Sequence, residues 1–246
     1  FVFDWKTDGA ALATWLAQAC VFGLFVYQLK VKKILWEDFR FFGKLKKVYT
    51  TRIIKIGLPV ATLNTLFAFV NMFLGRTAST VGGHIGLMAM TTSGQIEAIT
   101  WNTSQGFSTA LSAFVAQNYA ARKISRVMKA LKSTLYMTLV FGTLCSLLFI
   151  FYGNNVFAIF VPEKEAYEAG GLALRIDGYS QLFMMLEIVI QGVFYGMGRT
   201  IPPAIISISC NYLRIPMAML FVSFGWGLPG IWWTICITSI IKGIII

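Results

Sequence analysis

Long apolar stretches dominate the chain, and polar residues fall between them rather than alternating with them. The apolar segments cover about 8–29, 56–74, 82–117, 133–152, 171–197, 201–222 and 228–246. Each supplies the roughly 20 residues that a helix needs to cross about 30 Å of hydrocarbon. Continuous runs of this kind exclude a pure β-barrel, whose strands alternate lipid-facing and lumen-facing side chains. Segment 82–117 is longer than one span requires, which predicts a helix that bends or extends past the bilayer. The expected fold is all-α: an integral membrane protein built as a polytopic transmembrane helix bundle.

Helix breakers punctuate this pattern. Gly57-Leu58-Pro59 predicts the start of the second helix. Gly198-Arg199-Thr200-Ile201-Pro202-Pro203 predicts a tight turn, and Gly225-Trp226-Gly227-Leu228-Pro229-Gly230 another at the opposite end of the bundle. Residues 34–49, with Ile34, Leu35, Trp36, Phe39, Phe41, Phe42 and Leu45 among Lys and Arg, predict an amphipathic helix on the membrane surface. Segment 154–170, with Phe157, Ile159, Phe160 and Val161, predicts a similar helix on the other face. Two regions are expected: 1–52, a transmembrane helix plus a basic amphipathic connector, and 53–246, a six-helix transmembrane lobe. The chain opens at Phe1 and closes inside an apolar run from Ile240 to Ile246, so it reads as a portion of a longer protein.

Composition sharpens this reading. Residues are 57% hydrophobic and 13% charged, and the mean hydropathy is +0.70. A soluble domain carries about a quarter charged residues. With so few charges there is no polar coat, and the outer surface is left to face lipid. A net charge of +11 would fit a nucleic-acid binder if it were gathered on one face. It is instead split by topology. Lys30, Lys32, Lys33, Arg40, Lys44, Lys46, Lys47 and Arg52 follow the first helix; Arg122, Lys123, Arg126, Lys129 and Lys132 come two connections later, and Arg199 two after that. The alternate connections hold only Arg76, then Lys164 among Glu163, Glu165 and Glu168. The positive-inside rule places the Lys/Arg-rich loops in the cytoplasm of a multi-pass protein of the inner (plasma) membrane. The lipid bilayer is thus the expected partner, and nucleic acid is not. Cys20, Cys145, Cys210 and Cys236 lie singly in apolar stretches, without metal-ligand spacing, and read as small buried hydrophobes. No metal site, cofactor or catalytic constellation is expected, and hence no enzyme.

Ionisable groups at membrane depth are costly, so each marks a candidate site. Glu187 shares a helical face with Ser180, Met184, Gln191 and Tyr195. An acid beside an amide and a phenol can bind Na⁺ transiently, carry a proton or attract an organic cation; it can equally be a packed acid paired with Arg214. Glu97 belongs to a stripe of Ser93, Thr100, Ser104, Ser108 and Ser112. Such a stripe lines a water-filled cavity or forms a small-residue seam between close helices. Arg214 follows Ser207 and Asn211 on one face and precedes Pro216, which points to a charge partner for an acid or a cap for carbonyls freed by the proline. Asn64 and Asn71 share a face of the second helix.

Several motifs resemble one family. Lys55-Ile56-Gly57-Leu58-Pro59, Gly94-Gln95-Ile96-Glu97-Ala98-Ile99 and the run from Gln105 through Ala121 resemble the seventh and eighth helices of multidrug and toxic compound extrusion (MATE) transporters. Gln191-Gly192-Val193-Phe194-Tyr195-Gly196-Met197-Gly198-Arg199-Thr200 resembles the tenth helix and its exit turn. Leu213-Arg214-Ile215-Pro216 and Gly227-Leu228-Pro229-Gly230-Ile231-Trp232-Trp233-Thr234 resemble the eleventh and twelfth. The resemblance implies one MATE-like lobe of a two-lobe antiporter, with helix six ahead of it and an N-terminal lobe of the same protein as partner. It implies export of organic cations and other xenobiotics in exchange for Na⁺ or H⁺. Relatives carry an acid in the seventh helix, where this chain has Asn64 and Asn71. Glu187, with Glu97 as substitute, is therefore the expected cation-coupling pair. Gln191, Met184, Tyr195, Asn64, Asn71 and Ser104 are expected to line the cavity for small organic substrates, and Arg214 and Asn211 to balance charge. The alternatives are a lipid-linked saccharide flippase of the same superfamily, whose cavity would be basic where this chain offers only Arg214, and a channel-like or structural membrane subunit.

Overall fold

The computed structural model describes residues 6–30 and 47–246. The expected surface helix over 34–49 falls mostly outside the described residues. The chain divides into two units, Phe1–Thr50 and Thr51–Ile246. In the first, α1 (Lys6–Lys30) is a single apolar helix whose Trp15, Phe22 and Leu24 side chains are exposed.

The second unit is all-α among the described residues, its helices joined by short turns. Its elements are α2 (Lys47–Ala120, which begins in the first unit), α3 (Ile124–Phe160), α4 (Lys164–Gly196), α5 (Ile201–Ser223) and α6 (Gly227–Ile245). The overlong segment runs as unbroken helix from residue 84 to 120, and the bend lies at its start. At Gly83 the backbone takes φ 58° and ψ −142°, a conformation closed to residues with a Cβ, and it splits α2 into two arms that hold two of the expected spans. The helix start expected at Gly57–Pro59 is not there: α2 already runs from Lys47 and carries Pro59 in its interior. A spanning helix tolerates the lost N–H where neighbouring groups take up the freed carbonyls. The carbonyl that Pro59 leaves free is that of Lys55, and next to it the Thr200 hydroxyl, in the turn between α4 and α5, donates to the Ile56 carbonyl at 3.1 Å. Segment 154–170 is not a separate surface helix either. Residues 154–160 continue α3, and 164–170 open α4 after a short break. The turns at Met197–Thr200 and Phe224–Trp226 separate α4, α5 and α6 as their breakers predict.

Five of the described helices, α1, α2, α3, α5 and α6, are long and apolar enough to cross a membrane. The exception is α4, whose charged residues include Arg175, Asp177 and Glu187 and which its neighbours cover in part, leaving Leu172, Arg175 and Tyr179 exposed. The covered face of such a helix is kept from lipid and can hold polar groups at depth. The sheath is tight because small residues let backbones approach. A Cβ on Gly153 of α3 would stand 2.8 Å from the Gly171 carbonyl oxygen of α4, and one on Gly178 would stand 3.1 Å from the Ile150 backbone nitrogen. The Ser146 hydroxyl donates to the Gly178 carbonyl across the same seam. On the other side a Cβ on Gly243 of α6 would meet the Phe183 carbonyl oxygen of α4 at 2.6 Å. The main apolar core joins Val70, Leu74, Ala173, Ile176, Ile231 and the fully enclosed Trp232. Meanwhile Phe151, Ile159, Ile205 and Met219 are exposed, as befits a surface solvated by lipid.

Candidate functional site

Two polar regions lie inside this lobe, one above the other along α4. The first is a cavity of about 960 Å³ lined by α2, α4, α5 and α6. Glu97 from the second arm of α2, Asp177 from α4, Arg214 from α5 and Lys242 from α6 all reach its wall, with Arg76 from the first arm. Phe67, Trp101, Met90 and Met184 supply apolar wall between them. Asp177, Arg214 and Lys242 are only 4–5% exposed.

The acids are held differently. Gln181 donates from Nε2 to Glu97 Oε1 at 2.6 Å and accepts from the Thr100 hydroxyl at 2.9 Å, so this one side chain of α4 fixes one edge of the Glu97 carboxylate. The Asp177 carboxylate has no such partner: its Oδ1 is buried without a hydrogen bond. A buried polar atom without a partner is rare and calls for an explanation. Arg214 donates from Nε to Thr238 Oγ1 and from Nη2 to Ser239 Oγ, both at 2.9 Å, and stands 6.0 Å from the centre of the Phe67 ring.

The second region is a closed network around Glu187, which is 2% exposed. Lys242 Nζ lies 3.1 Å from Glu187 Oε2. Ser207 and Gln191 donate to Oε1 at 2.8 and 2.9 Å, and Gln191 also donates to Ser207 at 3.0 Å. The Tyr195 hydroxyl donates to Gln191 Oε1 at 3.1 Å. Both carboxylate oxygens are thus engaged, and the network ties α4, α5 and α6 together.

The sequence-based set therefore divides. Glu97, Asn71, Met184 and Arg214 line the cavity. Glu187, Gln191 and Tyr195 form the network instead. Asn64 is exposed on α2. Asn211 is buried, and its Oδ1 has no hydrogen bond. The serine stripe plays both expected parts. Ser93 and Glu97 face the cavity, whereas Ser104 returns its hydroxyl to the Thr100 carbonyl. Ser108 and Ser112 form a seam with α4, where a Cβ on Gly192 or Gly196 would come within 2.6 Å of their carbonyl oxygens. The pairing of Glu187 with Arg214 is not observed: Lys242 takes that place, and Arg214 binds hydroxyls rather than an acid or a carbonyl freed by Pro216.

Asp177 and Lys242 are absent from the sequence-based set. Each sits near one end of its apolar segment, where a charge reads as the flank of a span. The signal that finds them is the same cost of a charge among apolar neighbours: Lys242 interrupts Ile240, Ile241, Ile244 and Ile245, and Asp177 lies between Ile176 and Gly178.

The family model described as MatE matches residues 58–220. The probable multidrug resistance protein NorM of Thermotoga maritima is 26% identical over 235 residues, covering 91% of this chain and 48% of that protein. The FAD transporter of Shewanella oneidensis is 22% identical over 241 residues, covering 97% of this chain and 53% of that protein. A crystal structure of MATE in complex with MaL6 superposes with a TM-score of 0.88 at 20% identity, covering all of this chain and 56% of that one. The chain spans about half the length of the curated relatives it matches.

Proposed function

The chain belongs to the MatE family, and we propose that it forms one lobe of a secondary active antiporter that exports organic cations and other xenobiotics in exchange for Na⁺ or H⁺. The observation that carries this reading is the cavity in which Glu97 and an unpartnered Asp177 stand inside a sheath of apolar helices. Carboxylates at membrane depth mark ion and substrate pathways. A cation or proton bound at Glu97 and Asp177 favours one arrangement of the transporter, and substrate the other; coupling follows because each binds the two states unequally. Glu187 serves the cycle indirectly in this reading: its closed network holds Lys242 at the cavity wall. Relatives are about twice as long as this chain, so we read the rest of the cavity wall as the other lobe's contribution. The Lys/Arg-rich loops then lie in the cytoplasm.

The test uses the full-length transporter in vesicles, with a fluorescent organic cation and imposed Na⁺ or H⁺ gradients. Gradient-driven transport in the wild type is expected to fall by about tenfold or more in Glu97→Gln, a loss of at least one strong charge-assisted contact. Unchanged transport in a folded Glu97→Gln protein would remove Glu97 from coupling.

A second reading, the lipid-linked saccharide flippase of the same superfamily, gains from Lys242. The cavity carries three bases, Arg76, Arg214 and Lys242, where the sequence reading counted one. The relative named as a FAD transporter also handles a molecule with a pyrophosphate. Movement of a lipid-linked pyrophosphate saccharide, with none of any organic cation, is the outcome that would install this reading.

A further inference from the structure

The cavity wall holds buried acids, Glu97 and Asp177, and buried bases, Arg214 and Lys242, that do not pair with one another. Among the described residues the ion pairs within 4.0 Å are Lys164 with Glu168 on the surface and Lys242 with Glu187. Arg214 therefore has no carboxylate at that distance, although Glu97 and Asp177 share its cavity. An arginine in apolar surroundings gains more from a carboxylate than from neutral hydroxyls. Side chains free to move would close such a pair across the cavity. Here each wall is held back. Arg214 is tied at Nε and Nη2 to Thr238 and Ser239, with Phe67 beside the guanidinium. Glu97 is tied by Gln181, itself held by Thr100. Asp177, buried and with no hydrogen bond to Oδ1, completes the acidic wall. On α6, Ser239 and Lys242 are one turn apart, so one face of that helix brings a hydroxyl and an ammonium to the wall that Arg214 lies across.

We infer that the space between these walls is a subsite for a zwitterionic amphiphile. Its anionic group, a carboxylate or phosphate, sits on Arg214 and Lys242. Its cationic nitrogen sits on Asp177 and Glu97, and its apolar body lies against Trp101 and Met184. The guanidinium fork matches a carboxylate or phosphate, and Lys242 keeps ammonium protons beyond the one turned to Glu187. A cavity of about 960 Å³ admits a molecule of this size. The inference rests on the reading of this cavity as the transport site, yet it is tested by binding alone.

The full-length transporter in detergent is titrated with one xanthene dye in two forms, the free carboxylic acid, which is a zwitterion, and its methyl ester, which is a cation. Fluorescence anisotropy reads the affinities. The wild type is expected to bind the acid about tenfold more tightly than the ester, as one charge-assisted anion contact implies. Arg214→Met removes that preference and leaves ester binding within about threefold, while Arg214→Lys retains part of it. Equal binding, or a preference for the ester, in the wild type overturns the inference even if Arg214→Met fails to fold. So does an Arg214→Met protein that loses both forms alike, which marks a structural arginine. A short-chain phosphatidylethanolamine that competes with the acid identifies a lipid headgroup as occupant; absence of competition, with the preference intact, identifies a soluble cargo. If the acid is preferred and neither form is transported under a gradient, the subsite stands and the export reading fails.

Discussion

The two buried acids of α4, Asp177 and Glu187, lie on one helix at similar burial, yet they are in opposite states. Glu187 has a lysine on one oxygen and two donors on the other. Asp177 has an oxygen with no partner and faces a cavity. Burial is therefore no guide to role here. What separates the two is satisfaction: a closed network fastens helices, whereas an open one waits for something to bind. The difference comes from the neighbours. Beside Glu187 three helices converge and a seam at Gly192 brings α2 within backbone contact of α4. Beside Asp177 the kinked arms of α2 part around Gly83 and leave room.

The strongest way to break this comparison is Lys242→Met. It leaves the Glu187 carboxylate buried without its counter-charge, and breaking one side of a buried pair costs about 3–5 kcal/mol. The expected outcome is a large drop in the unfolding midpoint of the full-length transporter in mixed micelles. Adding Glu187→Gln should recover most of it, because the remaining groups are neutral and hydrogen-bonded. A single mutant as stable as the wild type would mean that the network does not fasten the lobe.

A smaller effect sharpens the boundary between the two regions. Tyr195→Phe removes one hydroxyl donor to Gln191, worth about 1 kcal/mol. The stability loss should appear in the same unfolding assay, while the affinity for an organic cation stays unchanged. A selective loss of affinity would return Tyr195 and Gln191 to the substrate cavity, where the helical spacing alone had put them.

Much of this architecture is legible in the sequence because lipid imposes a simple rule. Apolar length sets the spans, and the breakers at Gly198 and Gly225 set the turns. Segment 82–117 read as too long for one span and is a long helix running on to Ala120, while the bend sits at its start, at Gly83. The reading failed where tertiary neighbours overrode a local signal. Pro59 reads as a helix start, but α2 runs through it. The site was half legible for a related reason. Helical spacing groups Ser180, Met184, Glu187, Gln191 and Tyr195 on one face, but a face about 22 Å long at 1.5 Å per residue can meet different surroundings along its length. Ser180 and Met184 meet the cavity, whereas Glu187 meets Ser207 and Lys242 and is joined by Gln191 and, through it, Tyr195. Which cation pairs with Glu187 depends on how α6 docks, and no one-dimensional pattern contains that.

The smallest expected change in stability is the most informative about function. Asp177→Asn keeps the shape of the side chain and removes a charge that no group in the described lobe compensates at ion-pair distance. If the carboxylate were structural, its loss would cost as much as breaking the Glu187 pair. If it waits for a ligand, the empty protein should lose no more than about 0.5 kcal/mol, and relief from an unpaired buried charge can even raise its stability. Cation-driven transport should fall sharply in the same protein. Unfolding midpoints and vesicle transport, measured on one preparation, separate these cases. A destabilised Asp177→Asn protein would place Asp177 with Glu187 among the fasteners, and the contrast between the two ends of α4 would disappear. A stable protein that no longer couples would show that one helix carries a bolt at one end and a binding group at the other.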